Sequence, residues 1–142
     1  MIRPVLALAA LLSLGTLAFA SDYTPNAAPD VPGVTPVCQD GWTLHTISSR
    51  FGGAENKTFK EGYLIARFDD IQQTRHAMGP GLIERRYCQA TTTLNTGDRQ
   101  MVYYMIESGQ GFAGVGSRVE FCVDGFDYWR VHDGQCRTVR PQ

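Results

Sequence analysis

Five residues in this chain carry the side-chain types that phosphodiester cleavage requires. Glu84 and Glu120 could act as bases, His132 as an acid, and Arg86 and Arg118 could hold a phosphate. Small secreted ribonucleases set such groups on an antiparallel sheet backed by a helix. Here no spacing motif ties the five together, and solvent-facing charge on strands explains them more simply. A small secreted hydrolase is therefore kept only as an alternative to a non-enzymatic protein.

Other chemical signals are weaker. Gly109-Gln110-Gly111-Phe112-Ala113-Gly114 spells the glycine pattern of a dinucleotide site. That chemistry needs a helix next, with its N-terminus facing the pyrophosphate, whereas Ser117 to Phe121 reads as strand. The stretch is expected to be a flexible strand connection anchored by Phe112. His45, His76 and His132 are scattered, Asp69-Asp70 lacks the spaced oxygens of a calcium loop, and Ser48-Ser49 lacks the flanking glycines of a nucleophile elbow. Asn56-Lys57-Thr58 is a glycosylation sequon, relevant only to a eukaryotic secretory route. No cofactor, metal site or catalytic residue is assigned.

What remains is a surplus of rings, with Tyr87, Tyr103, Phe112, Tyr128 and Trp129 as candidate binding residues. One helix covers only one face of a small sheet. The second face must be open, held by a partner, or closed by the segment Phe126 to Val131. An open aromatic face would be an interaction surface.

The elements that must position these residues are legible from Asp40 onward. Asp40-Gly41 opens a helix, and Leu44, Ile47, Phe51 and Ala54 recur at helical spacing. Gly52-Gly53 either ends it or weakens a continuation to about Phe59. Tyr63 to Thr74 alternates as a strand, with Leu64, Ala66 and Phe68 on one face and Ile65 and Ile71 on the other. Tyr87 to Leu94 is a second strand, and Asn95 to Asp98 a turn in which Asn95 bonds its own backbone. Arg99 to Ser108 is a third strand, apolar on both faces and hence central. Ser117 to Asp124 is a fourth, with Val119, Phe121 and Val123 opposite Arg118, Glu120 and Cys122. An antiparallel meander follows.

Met1 to Ala20 carries Arg3, an apolar core and Ala18-Phe19-Ala20, the pattern of a secretory signal cleaved after Ala20. No later stretch is long and apolar enough to span a bilayer. Ser21 to Val37, with Pro25, Pro29, Pro32 and Pro36, is expected to be an extended, flexible arm. Cys38 to Gln142 is expected to form one domain. Removing Arg3 takes the formal charge from −1 to −2. Near-neutrality argues against a nucleic-acid or anionic-membrane partner and leaves a protein or cell-envelope component.

Four cysteines in an exported chain imply two disulfides. The strands bearing Cys88 and Cys122 are separated by a third strand. That spacing, roughly 10 Å, exceeds the roughly 7 Å Cα limit of a bridge. Of the two pairings left, the preferred one is Cys38–Cys88, pinning the helix start onto the sheet, with Cys122–Cys136, closing the C-terminal loop.

Arg85-Arg86-Tyr87-Cys88, Val102-Tyr103-Tyr104, Gly111-Phe112-Ala113-Gly114 and Val119-Glu120-Phe121-Cys122-Val123 resemble segments of a group of small exported proteins of alphaproteobacteria, as does Ile47-Ser48-Ser49-Arg50-Phe51. The resemblance spans roughly Cys38 to Cys136. It implies a periplasmic or secreted location and a disulfide-supported domain, and it brings no catalytic residue with it. The expected fold class is α+β, an N-terminal helix packed on an antiparallel sheet of about four strands in a cystatin-like arrangement. The expected function is binding of a protein or envelope component through the aromatic sheet face and the glycine-rich loop. A secreted inhibitor or immunity protein, inserting Phe112 into the cleft of a lytic enzyme, is the nearest alternative.

Overall fold

A computed structural model describes residues 35–140. The expected signal segment and the first part of the proline-rich arm lie outside the described residues. Helix α1 spans Gly41–Ala54, and strands β1 (Ile65–Ala77), β2 (Arg85–Leu94), β3 (Arg99–Ser108) and β4 (Ser117–Val123) form one antiparallel sheet in chain order. The fold is α+β.

Asp40 starts the helix because its Oδ1 accepts from the Thr43 N–H at 2.9 Å, capping a donor that has no intrahelical partner. Ile47 and Phe51 then fall on the buried face, where each contributes about 1.5–3 kcal/mol. Gly52 sits where the helix meets the start of β1, and a Cβ there would lie 2.8 Å from Leu64 Cδ2. Beyond Ala54 the chain widens into a π-turn, Glu55–Phe59, and leaves it through Lys60 in the left-handed region.

The faces of β1 differ from simple alternation. Ile65, Phe68 and Ile71 all pack on the helix side, while Leu64 and Ala66 are exposed. Irregularities between Ile65 and Arg67 and between Asp69 and Gln72 shift the pleat, so every third residue faces the core. Asn95 also departs from expectation. Its side chain accepts from Leu64 N–H and donates to the Gly62 carbonyl, both at 3.0 Å, and so ties the β2–β3 turn to the chain entering β1.

β3 is central and covered on both sides. Val102, Tyr104 and Ile106 join Ile47, Phe51 and Cys88 in the main core. The Tyr104 hydroxyl donates to the Cys38 carbonyl at 2.8 Å, linking the sheet to the chain just before the helix. On the reverse face Met105 packs with Cys122, Cys136 and Val139, against Tyr87 and Tyr103. The segment that closes this second core is Cys136 to Val139. Phe126 turns the other way and meets Phe51 and Tyr63 edge-on at 5.3 and 5.2 Å. Phe126 to Val131 therefore covers the end of the helix and not the reverse face of the sheet, because the turn after Asp124 carries it past β4 toward α1.

Both disulfides pair as expected, Cys38–Cys88 and Cys122–Cys136. The domain includes residues ahead of Cys38. Thr35 is buried, its N–H donates to Glu84 Oε2 at 3.2 Å, and its carbonyl accepts from Arg86. The last residues of the proline-rich arm are thus part of the domain.

Candidate functional site

The exposed apolar side chains gather at two opposite ends of the sheet. At the first end the β1–β2 hairpin, the β3–β4 loop and the start of the helix come together. The two connections flank neighbouring strand pairs, so they lie about 10 Å apart, and the Ser108 N–H bonds the Glu84 carbonyl at 3.0 Å between them. This end exposes Met78, Leu82 and Ile83 from the hairpin, Phe112 and Val115 from the loop, and Val37 and Trp42 from the chain around the helix start.

Phe112 is 97% exposed, yet the loop that carries it is tightly built. Gly111 crosses so close to the far side of the loop that a Cβ would sit 2.0 Å from the Val115 carbonyl oxygen. Ala113, Gly114 and Gly116 all take left-handed φ, which closes a ring of backbone around the turn. The phenyl group stands outward on a loop closed by its own backbone contacts. The expected strand connection is present, since β4 and not a helix follows, but Phe112 stands in solvent and does not anchor it.

The second end holds a groove of about 240 Å³ between the end of α1, the end of β4 and the segment Phe126 to His132. Phe51, Phe59, Phe121, Phe126, Tyr128 and Trp129 supply most of its wall. Phe59 lies 4.5 Å from the Tyr128 ring and 5.2 Å from Trp129. Among these rings is a carboxyl. Glu55 is 1% exposed, and its Oε2 meets no donor among the described residues. Burial pushes its pKa above the usual carboxylate value, and the charge of Glu61 adds to the shift. Burial likewise raises Tyr128, with Glu55 and Glu61 contributing, so its hydroxyl keeps its proton.

The five candidate binding rings are therefore divided. Tyr87 and Tyr103 lie half-buried in the second core, with the Arg140 guanidinium 5.1 Å over the Tyr103 ring. Phe112 stands at the loop edge, and Tyr128 and Trp129 stand on the groove. Among the described residues there is no single open aromatic sheet face.

The five residues weighed for hydrolysis do not converge. Glu84 holds Thr35 and meets His76 Nε2 at 2.6 Å. Burial alone would raise its pKa, but the hydrogen bonds from His76 and Thr35 outweigh that and lower it. Arg86 bonds Gln73 and the Thr35 carbonyl. Arg118 and Glu120 pair across from Glu107 and Met105 on the reverse face of β4. His132 lies beside the groove, its ring engaged with Thr138 and its N–H with Asp127.

Glu55 escaped the reading of the sequence. It follows Ile47 and Phe51 at steps of four, so it continues the buried stripe with a carboxylate. The continuation past Gly52-Gly53 to about Phe59 is present, but a carboxylate at a stripe position gives no sign in the sequence that it is buried. Among the described residues no cluster of three His, Cys, Asp or Glu could hold a metal, and no helix is long and apolar enough to cross a membrane. No protein-family model, curated protein or solved structure matches the chain.

Proposed function

We propose that the chain is an exported, non-enzymatic binding protein that seats its loop edge in the cleft of a protein partner, with Phe112 as the anchor. The observation that carries this reading is the outward display of Phe112, 97% exposed on a loop whose backbone contacts leave no room for a Cβ at Gly111. Leaving a phenyl group in water gains nothing for folding. Holding it there on an ordered loop lowers the entropy lost on binding. An edge that also exposes Met78, Leu82 and Val115 suits an apolar cleft on the partner, as an inhibitor or immunity protein would need. Two disulfides with no free cysteine among the described residues fit an oxidising compartment outside the cytoplasm.

The test compares Phe112→Ala and Trp129→Ala for binding to the envelope protein recovered with the wild-type chain and then purified. A central anchor costs 2 kcal/mol or more on truncation, so F112A should weaken binding about 30-fold or more with an unchanged melting temperature. If F112A binds normally while W129A does not, the partner sits at the groove and the loop edge is not the site.

A further inference from the structure

The groove at the far end is not used by the loop edge, and it contains a group whose position packing does not explain. Glu55 occupies the stripe position where Ile47 and Phe51 predict an apolar side chain, and a leucine there would satisfy the core. Instead a carboxyl is enclosed with Oε2 unpaired in a wall built mainly of rings. A buried anion without a donor is unfavourable unless something arrives to meet it.

The neighbours limit what that can be. Arg50 is the one basic side chain with a permanent charge on the groove wall, and its guanidinium donates to the Val119 carbonyl at 3.0 Å. The Asp127 carboxylate accepts from the His132 and Gly134 N–H groups at 2.9 and 2.7 Å, and the His132 ring is engaged by Thr138. Glu55, enclosed just behind the rings, is thus the carboxyl of the wall that meets no donor among the described residues, with Glu61 nearby adding negative potential. One carboxylate among rings is a poor site for a divalent metal, which needs several oxygen ligands. It is a good one for an organic cation, because aromatic rings attract an ammonium while tolerating its alkyl groups. A volume of about 240 Å³ admits a headgroup of that kind with a short chain attached.

We infer that the groove is a binding site for an alkylated ammonium group, with Glu55 as its counter-ion and Phe59, Tyr128 and Trp129 as its aromatic walls. The site stands apart from the loop edge, so either can fail without the other. A cation favours the ionised form of Glu55, and affinity therefore rises with pH through the titration of that carboxyl. Tyr128 stays protonated throughout, and Arg50, Asp127, His132 and Glu61 set the surrounding field.

The test titrates the folded, disulfide-bonded chain with choline and with its neutral isostere 3,3-dimethyl-1-butanol. Binding is followed by the NMR signal of the Trp129 indole N–H, assigned by W129F. Choline should give a saturable shift, with Glu55→Gln and the neutral isostere each binding about tenfold more weakly or worse. Y128A, a change at an exposed position of the same wall, should weaken choline several-fold while keeping the fold and the Trp129 signal. Equal binding of the isostere, undiminished binding by E55Q, or no saturable shift up to about 50 mM choline would each overturn the proposal.

Discussion

Glu55 and Glu84 are both carboxyls inside the folded body, and they act on stability in opposite directions. Glu55 has a raised pKa, so the native state binds a proton that the unfolded chain would have released. Stability then falls as pH rises from the ordinary carboxylate value of 4.5 through the raised one. Glu55→Gln removes that loss. It should melt higher than the wild type at pH 7.5, with the advantage shrinking toward pH 4.5, as thermal unfolding across that range would show. Glu84 has a lowered pKa, because His76 and Thr35 donate to its charged form. Its contribution is present above 4.5 and is lost as pH falls from there through the lowered value. Glu84→Gln should therefore cost stability at neutral pH and cost less in acid, with faster amide exchange at Thr35 as the local sign. If Thr35 exchange is unchanged, Glu84 does not strap the arm. Neither role was legible in the sequence, since each depends on which partner the fold brings within reach.

At the scale of elements, α1 contains two adjacent glycines with different reasons to be there. A Cβ on Gly52 would meet Leu64 at 2.8 Å, whereas a Cβ on Gly53 would meet nothing within 4 Å. Gly53→Ala should therefore stabilise the protein by about 0.5–1 kcal/mol through the lower entropy of the unfolded chain. Gly52→Ala should stabilise less or destabilise, because Leu64 must move. A denaturant titration of both variants separates these outcomes. The same contrast shows how far the sequence could be read. Periodicity located the helix, the capping Asp40 and all four strands, because a buried stripe and a pleated face leave repeating marks. It did not show that Gly52 is a point of close approach, that bulges put Ile65, Phe68 and Ile71 on one side, or that Asn95 reaches back to Leu64. Those features are set by contacts between elements distant in the chain, and spacing carries no record of them.

For the whole molecule strand spacing excludes a bridge across β3 and so leaves two of three cysteine pairings, of which the preferred one is present, and the two bridges divide the labour. Cys38–Cys88 joins residues 50 apart and fixes the chain before α1 to the central sheet. Cys122–Cys136 spans 14 and holds the C-terminal segment over the reverse face. Loop-closure entropy alone assigns about 4 kcal/mol to the first and about 3 kcal/mol to the second. Their structural consequences should differ more than those figures. The first bridge lies in the main core with Ile47 and Tyr104. Replacing both its cysteines by serine should lower the midpoint of a single cooperative transition. The second supports only the smaller cluster of Met105, Cys136 and Val139. Its serine pair should free Cys136 to Val139, expose Tyr103 and Met105, and leave α1 and the main core folded. Proteolysis after Arg137 or Arg140, read beside the denaturant midpoint, distinguishes local release from global unfolding. Cleavage without a matching fall in the midpoint would make the C-terminal segment a latch on an independently stable sheet. Loss of both together would make the reverse-face cluster an integral part of one cooperative core.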